Sequence, residues 1–395
     1  MTTRRTTRKI QVGNAFIGGD APVLVQTMAA TKTFDVEATS ATINYLQRSG
    51  AGLIRVAVDT PNDARALGEI RKRTTANLSV DLQENFRLAE LVAPNVDKIR
   101  YNPGHLHHLE PSLSWEKKVE YLVSVAREFD CALRVGVNCG SLDPEKVKLY
   151  REKLANRDAD PNGADEEAAF FDPAFESALE HVDFLESLNF ERFCVSIKDS
   201  DPATVVLVNK RFAALRPQVP LHLGVTEAGA PPRGVLKSRL ALETLLAQGI
   251  GETLRVSLTV EANQKAAEVE AGQLILANVE AGTTIDPTTT LPKLNIVSCP
   301  SCSRVQNGRF VELARQLEKA TEFAKDYPFK IATMGCRVNG PGETDDADVG
   351  LWCGVDRVNL KSGEQTVGAF PYETVVEKAV ELLREKIREY DAKNQ

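Results

Sequence analysis

Eight short apolar runs alternating with helical patterns constrain this chain more than any other feature. The runs cover residues 23–27, 53–58, 78–82, 98–102, 132–137, 193–198, 221–225 and 254–258. Candidate helices lie between them, at 36–48, 62–73, 115–129, 173–188, 202–215 and 234–247, with an Ala- and Glu-rich stretch at 260–279. Strands that are apolar along their whole length are buried on both faces, as in a parallel sheet covered by helices. Eight such units match a (β/α)8 TIM barrel, an α/β fold of about 250 residues. An open doubly wound sheet is the competing arrangement. The complete count favours the barrel.

The flanks carry their own signals. Gly13-Asn14 separates two strand-like runs in KIQVGNAFIGG and reads as an N-terminal hairpin. Residues 151–166 are polar, turn at Asp160-Pro-Asn-Gly, and read as a loop insertion. Residues 281–293 have the Thr and Pro content of a linker. Beyond them the rhythm changes: strands at 294–298 and 329–334, a helix at 310–325, short strand-like runs near 349–353, 355–360 and 366–370, and a last helix at 372–390. This predicts two domains, a barrel with its hairpin over 1–284 and a smaller α+β domain over 285–395.

Composition narrows the class. Of 395 residues 43% are hydrophobic and 26% charged, which is ordinary for globular domains. The net charge of −7 lends no support to a nucleic-acid or membrane-surface binder. No apolar run is long enough for a membrane helix, and the basic N-terminus has no apolar segment behind it. Seven cysteines are too few for a disulfide scaffold and odd in number. A reducing cytoplasm is expected, where clustered cysteines serve metals or redox groups.

Three of the cysteines do cluster. Cys299-Pro-Ser-Cys302 follows one strand, and Cys336 follows another in Met334-Gly-Cys-Arg-Val-Asn-Gly-Pro-Gly-Glu343. Three soft thiolates suit zinc or an iron–sulfur cluster. A fourth ligand is ambiguous from the residues alone. Cys353 is the default thiolate but lies in an apolar run, where cysteine behaves as a small hydrophobe. Glu343 lies across the Gly-Pro-Gly stretch, read as a turn. Cys131 and Cys194 read as packing residues; Cys139, at a strand end, is a weaker site candidate.

Arg55, Arg100, Arg134, Lys198 and Arg255 each interrupt an apolar barrel strand. An unpaired charge there costs several kcal/mol, about that much per ion. Asp81 and Glu227 are candidate partners but too few for five cations. The set therefore predicts an anion site at the barrel mouth, where arginine suits bidentate phosphate contact. Barrel sites form at the C-terminal strand ends, where this chain has Asn102, Asn138, Lys198, Glu227 and Ser257. Gly249-Ile-Gly precedes a strand and reads as a helix end rather than a dinucleotide loop. His105-Leu-His-His108 could bind metal but reads as an exposed loop.

These segments together strongly resemble the two-domain bacterial 4-hydroxy-3-methylbut-2-en-1-yl diphosphate synthases. The likeness runs from RRTTRKIQVGN to the last helix, through GGDAPVLVQTM, KIRYNPG, LRVGVNCGSL, HLGVTEAG, GIGETLRVSLT, SCPSCSR and GCRVNGPGE. The resemblance implies a barrel followed by an iron–sulfur domain, with one [4Fe–4S] cluster per chain held by Cys299, Cys302, Cys336 and Glu343. It implies reductive ring opening of a small cyclic diphosphate, with electrons from a flavodoxin or ferredoxin. It places the diphosphate on Arg55, Arg100, Arg134 and Lys198, and polar substrate contacts on Asn138, Ser257 and Asn339. Glu227 matches the barrel acid, a candidate proton donor, and Glu343 the replaceable cluster ligand. A homodimer is implied, one chain's cluster domain capping the other's barrel. Two departures stand out. Gln83 lies where many members have a His after the third strand, and Asp199 follows Lys198 where Ala is commoner. A phosphate-handling barrel hydrolase or aldolase with a zinc tail, and an iron–sulfur sensor, remain the competing classes.

Overall fold

The computed structural model describes residues 4–149, 152 and 172–394. All but one residue of the expected insertion at 151–166 lie outside them. Strands β1 (Ile10–Val12) and β2 (Ala15–Ile17) pair antiparallel across Gly13-Asn14, with Ile10 opposite Ile17. This hairpin puts Ile10, Val12 and Ile17 against Leu53, Ala132 and Cys194, so Cys194 packs at the floor of the barrel.

The barrel strands are β3 (Leu24–Met28), β4 (Leu53–Ala57), β5 (Leu78–Gln83), β6 (Lys98–Tyr101), β7 (Ala132–Asn138), β8 (Phe193–Lys198), β9 (His222–Leu223) and β10 (Thr253–Leu254). Neighbours pair in parallel from β3 to β8, and β10 pairs with both β3 and β9. A bridge from Val195 to Leu221 brings β8 to β9 and completes the ring. The last two strands are shorter than their apolar runs because the following backbone leaves the ladder for other partners. Thr226 donates to the Asp199 carbonyl at 2.9 Å, and the Leu258 N–H donates to the Glu268 carboxylate at 3.1 Å.

Helices cover the outside, and their starts follow local chemistry. Thr60 and Asp63 form a capping box at Pro61–Arg71; Asp172 and Asp201 cap Pro173–Ser187 and Pro202–Leu215. Each of these three helices carries proline in its first turn, where no N–H is missed. Between β5 and β6 the crossover shrinks to short turns around Ala89–Val92, ending at Pro94. The helix Ala266–Ala281 stops at Gly282, whose φ of 70° is left-handed.

The C-terminal domain has its own five-stranded sheet in the order β11 (Asn295–Ser298), β12 (Lys330–Met334), β13 (Val349–Cys353), β14 (Arg357–Ser362) and β15 (Gln365–Pro371). The first three are parallel and the last two antiparallel. Phe310, Leu317, Ile331, Leu351 and Leu383 belong to its separate core. The helix expected over 310–325 ends at Ala320, where Thr321 turns its hydroxyl back onto Leu317 O at 2.8 Å. The last helix runs Val375–Lys393 rather than 372–390. Gly340–Asp345, read as a turn, is a short helix with proline in its first turn.

This domain sits on the C-terminal ends of the barrel strands. Ala228 bridges Ser298 in parallel, and the Ser298 N–H donates to Glu227 O at 3.0 Å. Thr259 donates to Cys299 O at 2.9 Å, and Lys237 to Asn295 and Ile296 at 2.7 and 2.8 Å.

Candidate active site at the barrel mouth

The five interrupting cations all reach one cavity. Arg55, Arg100, Arg134, Lys198 and Arg255 are each at most 9% exposed and line it together. Register explains the crowding, since Arg100 on β6 lies beside Arg134 on β7 and beside Asp81 on β5. Asp81 is the hub: its carboxylate meets Arg100 at 2.8 Å, Arg55 at 3.8 Å and Arg304 at 3.2 Å. Arg255 pairs instead with Glu268 at 3.2 Å, which Lys265 shares at 2.9 Å. Glu227 forms no direct ion pair with the five strand cations among the described residues; its charge reaches Arg255 at longer range.

The positive charge therefore remains in excess. Arg134 Nε and Nη1 are buried without a hydrogen-bond partner among the described residues. Burial, reinforced by the neighbouring guanidiniums, drives Lys198 well below the ordinary lysine range. Burial lowers Arg55 too, against the pull of Asp81. Groups held this way gain from an anion that restores their hydrogen bonds and charge balance.

The opposite wall is the end of the C-terminal sheet. Cys299 follows β11, Cys302 opens the turn that comes next, and Cys336 follows β12; all three line the same cavity as the cations. The Cys299 thiol donates a hydrogen bond to the sulfur of Cys336, which lowers Cys336 and raises Cys299. Cys353 points elsewhere. It is 1% exposed within β13, beside Tyr372, and burial pushes its thiol up to about 12.

Glu227, Asn138, Ser257 and Asn339 also line the cation cavity. Glu227 sits at φ 44° just past β9, a left-handed backbone that turns the chain toward the C-terminal domain. Its Oε1 accepts from Asn339 Nδ2 at 2.8 Å, while Oε2 is buried without a hydrogen-bond partner among the described residues. Burial and then the charge of Glu343 raise Glu227 to about 7. Asn138 donates to Thr226 at 3.1 Å and caps the turn Cys139–Ser141.

Glu343 lines the adjoining cavity rather than the one holding the thiols. Its Oε2 meets Lys330 at 3.0 Å, and its Oε1 accepts from the Cys139 thiol at 3.5 Å. So Cys139 stands beside the site, on the barrel side of the same carboxylate. Of the two departures, Gln83 faces the cation cavity and Asp199 the adjoining one that Glu343 lines. Gln83 lines the cavity and donates to Asp81 at 3.2 Å. Asp199 is raised to about 6, chiefly by burial.

Some site residues escaped the sequence reading. Arg304, in the quoted SCPSCSR, spans the two domains by holding Asp59 at 2.7 Å as well as Asp81. Glu268, in the helix after β10, pairs with Arg255 and Lys265, and Lys330 on β12 pairs with Glu343 and Asp346. His105, read as exposed, is buried at 8%, while His107 and His108 are exposed.

Comparison with known proteins agrees with both halves. Residues 7–273 match the GcpE TIM-barrel domain and residues 295–385 the GcpE protein C-terminal domain. A 4-hydroxy-3-methylbut-2-en-1-yl diphosphate synthase (flavodoxin) of Rhodopirellula baltica is 51% identical over 389 residues, covering 97% of each chain. The protein of that name from Saccharophagus degradans is 36% identical over 391 residues, covering 99% of this chain and 96% of its own. Another, from Nitratiruptor sp., is 37% identical over 388 residues, covering 98% and 99%. With both domains matched and these relatives aligned almost end to end, the chain belongs to the GcpE family.

Proposed function

We propose that this chain reductively opens 2-C-methyl-D-erythritol 2,4-cyclodiphosphate to 4-hydroxy-3-methylbut-2-enyl diphosphate, a step of isoprenoid precursor synthesis. The observation that carries the reading is one cavity walled by buried, under-neutralised cations on the barrel and by three thiols on the C-terminal domain. A phosphate anion suits the first wall and a redox metal cluster the second. The reading divides the chain into a substrate domain over 1–284 and a cluster domain over 285–395.

The donor set fits one [4Fe–4S] cluster per chain. Cys299, Cys302 and Cys336 supply thiolates from two adjacent strand ends, and Glu343 supplies a carboxylate from the helix beside them. When bound, the cluster supplies the two electrons that the C–O cleavage consumes. The protein does the rest. Arg55, Arg100, Arg134 and Lys198 hold the diphosphate. Asn138, Ser257 and Asn339 orient the carbon skeleton. Glu227, half-protonated near pH 7 by its burial, is placed to give a proton from Oε2 to the oxygen that departs as water. The carboxylate of Glu343 is a harder ligand than thiolate and the one exchanged most readily.

A flavodoxin or ferredoxin in the cytoplasm delivers the electrons. Among the described residues no helix is long and apolar enough to cross a membrane. The proposed homodimer, with each cluster domain capping its partner's barrel, uses the two faces that meet here within one chain. Anaerobic turnover of the cyclodiphosphate with reduced flavodoxin tests the reading. Brown protein with about four iron atoms per chain and the allylic diphosphate as product are expected. A colourless zinc protein that leaves the cyclodiphosphate intact would overturn it.

A further inference from the structure

Glu84, His105 and His108 meet at the rim of the barrel, outside the site described above. Glu84 follows β5 and the two histidines follow β6, so adjacent strands deliver them to one edge. One ligating atom from each lies within 4.8 Å of the others. His105 Nδ1 stands 3.7 Å from Glu84 Oε2, beyond hydrogen-bond reach. Among the described residues that nitrogen is buried with no hydrogen-bond partner, in a residue only 8% exposed. A buried polar atom left unpaired this way is costly unless something binds it. The loop is not a frayed end that could simply turn the ring away. Asn102 accepts from the Gly104 N–H at 3.3 Å, and Lys118 clamps the carbonyls of Leu106 and Leu109 at 2.7 and 2.6 Å.

Two imidazoles and a carboxylate are the protein donors of an open zinc site. With metal–ligand bonds of about 2.0–2.1 Å, tetrahedral ligand atoms lie about 3.3 Å apart. Small side-chain shifts bring the observed group to that spacing. We propose that Glu84, His105 and His108 bind one divalent metal ion of the zinc type, with water completing the coordination. Arg337 of the C-terminal domain faces the same group and opposes the ion's charge without blocking the donors. The ion would tie the loop after β5 to the loop after β6. Gln83 precedes Glu84 and already accepts from Asn102 at 3.2 Å, so the tie also holds Gln83 at the substrate cavity.

The test uses cluster-loaded protein dialysed anaerobically against zinc sulfate, with zinc and iron both counted. About one zinc per chain and unchanged iron are expected, with nitrogen and oxygen at about 2.0–2.1 Å by zinc X-ray absorption. His108→Ala, at an exposed position, and Glu84→Gln should each weaken binding roughly 100-fold. Zinc should raise the unfolding temperature of the parent and of neither variant. No zinc uptake by the parent, zinc gained only as iron is lost, sulfur at about 2.3 Å, or unchanged binding by His108→Ala would each sink the proposal.

Discussion

Arg134 and Arg100 share a register yet are committed differently. Arg100 spends Nη1 on Asp81 and Nη2 on the Gly136 carbonyl, at 2.8 and 2.6 Å. Arg134 keeps two buried nitrogens unpaired. Arg134→Ala should therefore weaken cyclodiphosphate binding by about 10- to 150-fold, the worth of a charged hydrogen bond, with iron content unchanged. Steady-state kinetics and iron analysis check it; parental kinetics would place the diphosphate elsewhere. Lys98 makes a different prediction. It is fully buried beneath the arginines, donates to Gln26 at 3.1 Å, and burial lowers it from 10.5 to about 7. A lysine lowered on folding is charged more readily in the unfolded chain. Its penalty is small above pH 10.5, grows as pH falls, and is complete below about 7. Lys98→Met removes a penalty of up to about 5 kcal/mol but strands the Gln26 oxygen, at about 1–3 kcal/mol. The variant should unfold at a higher temperature than the parent at pH 7, with the gap closing toward pH 10. A gap that widens with pH would contradict the sign. Arg100 and Arg134 were legible because each breaks an apolar run. Arg304 was not, because nothing local marks a residue whose counter-ions, Asp59 and Asp81, arrive only when the domains dock.

At the scale of elements, the strand count and the helix starts were readable from period and caps. The ends of β9 and β10 were not, since side-chain and loop acceptors replace the ladder there. The helix Gly340–Asp345 shows the limit best. Gly-Pro-Gly has poor helix propensity, and six residues are too few to hold a helix alone. Docking holds it: an added Cβ on Gly342 would stand 2.4 Å from the Gly140 carbonyl oxygen. The glycine is needed for this close approach, which seats Glu343 against Cys139. Gly342→Ala should push the helix off the turn Cys139–Ser141 and cut turnover at least tenfold, roughly the cost of a misplacement of about 1 Å. Each domain should stay folded, because neither core includes Gly342. Circular dichroism, iron content and turnover measured together separate this from unfolding. A variant with parental turnover would show that the contact does not position Glu343.

The whole molecule closes over its own site. The central cavity holds about 70 Å³, against about 300–1,000 Å³ for typical small-molecule pockets. Admitting a cyclic diphosphate therefore requires the C-terminal domain to lift from the barrel. The contacts that close it are polar and separable: Arg304 on Asp59 and Asp81, Lys32 on the Ser303 carbonyl, Asn339 on Glu227. The connection after Gly282 runs through exposed residues to β11. A cap that must lift, on an exposed connection, can close on its own barrel or on a partner's with the same contacts, which is the logic of domain exchange. In the proposed homodimer the exchange takes place. A chain with Cys299→Ser lacks the cluster wall but keeps a sound barrel; a chain with Arg134→Ala has the reverse defect. At cyclodiphosphate concentrations well below the Kd of the Arg134→Ala site, each should be nearly inactive alone. Equal amounts, unfolded and refolded together, should give heterodimers in half the population, each with one intact site. About a quarter of parental activity should return. Subunit exchange is verified by mass-tagging one chain. If tagged and untagged chains mix fully and activity stays at the level of the separate variants, the barrel and cap that work together belong to the same chain.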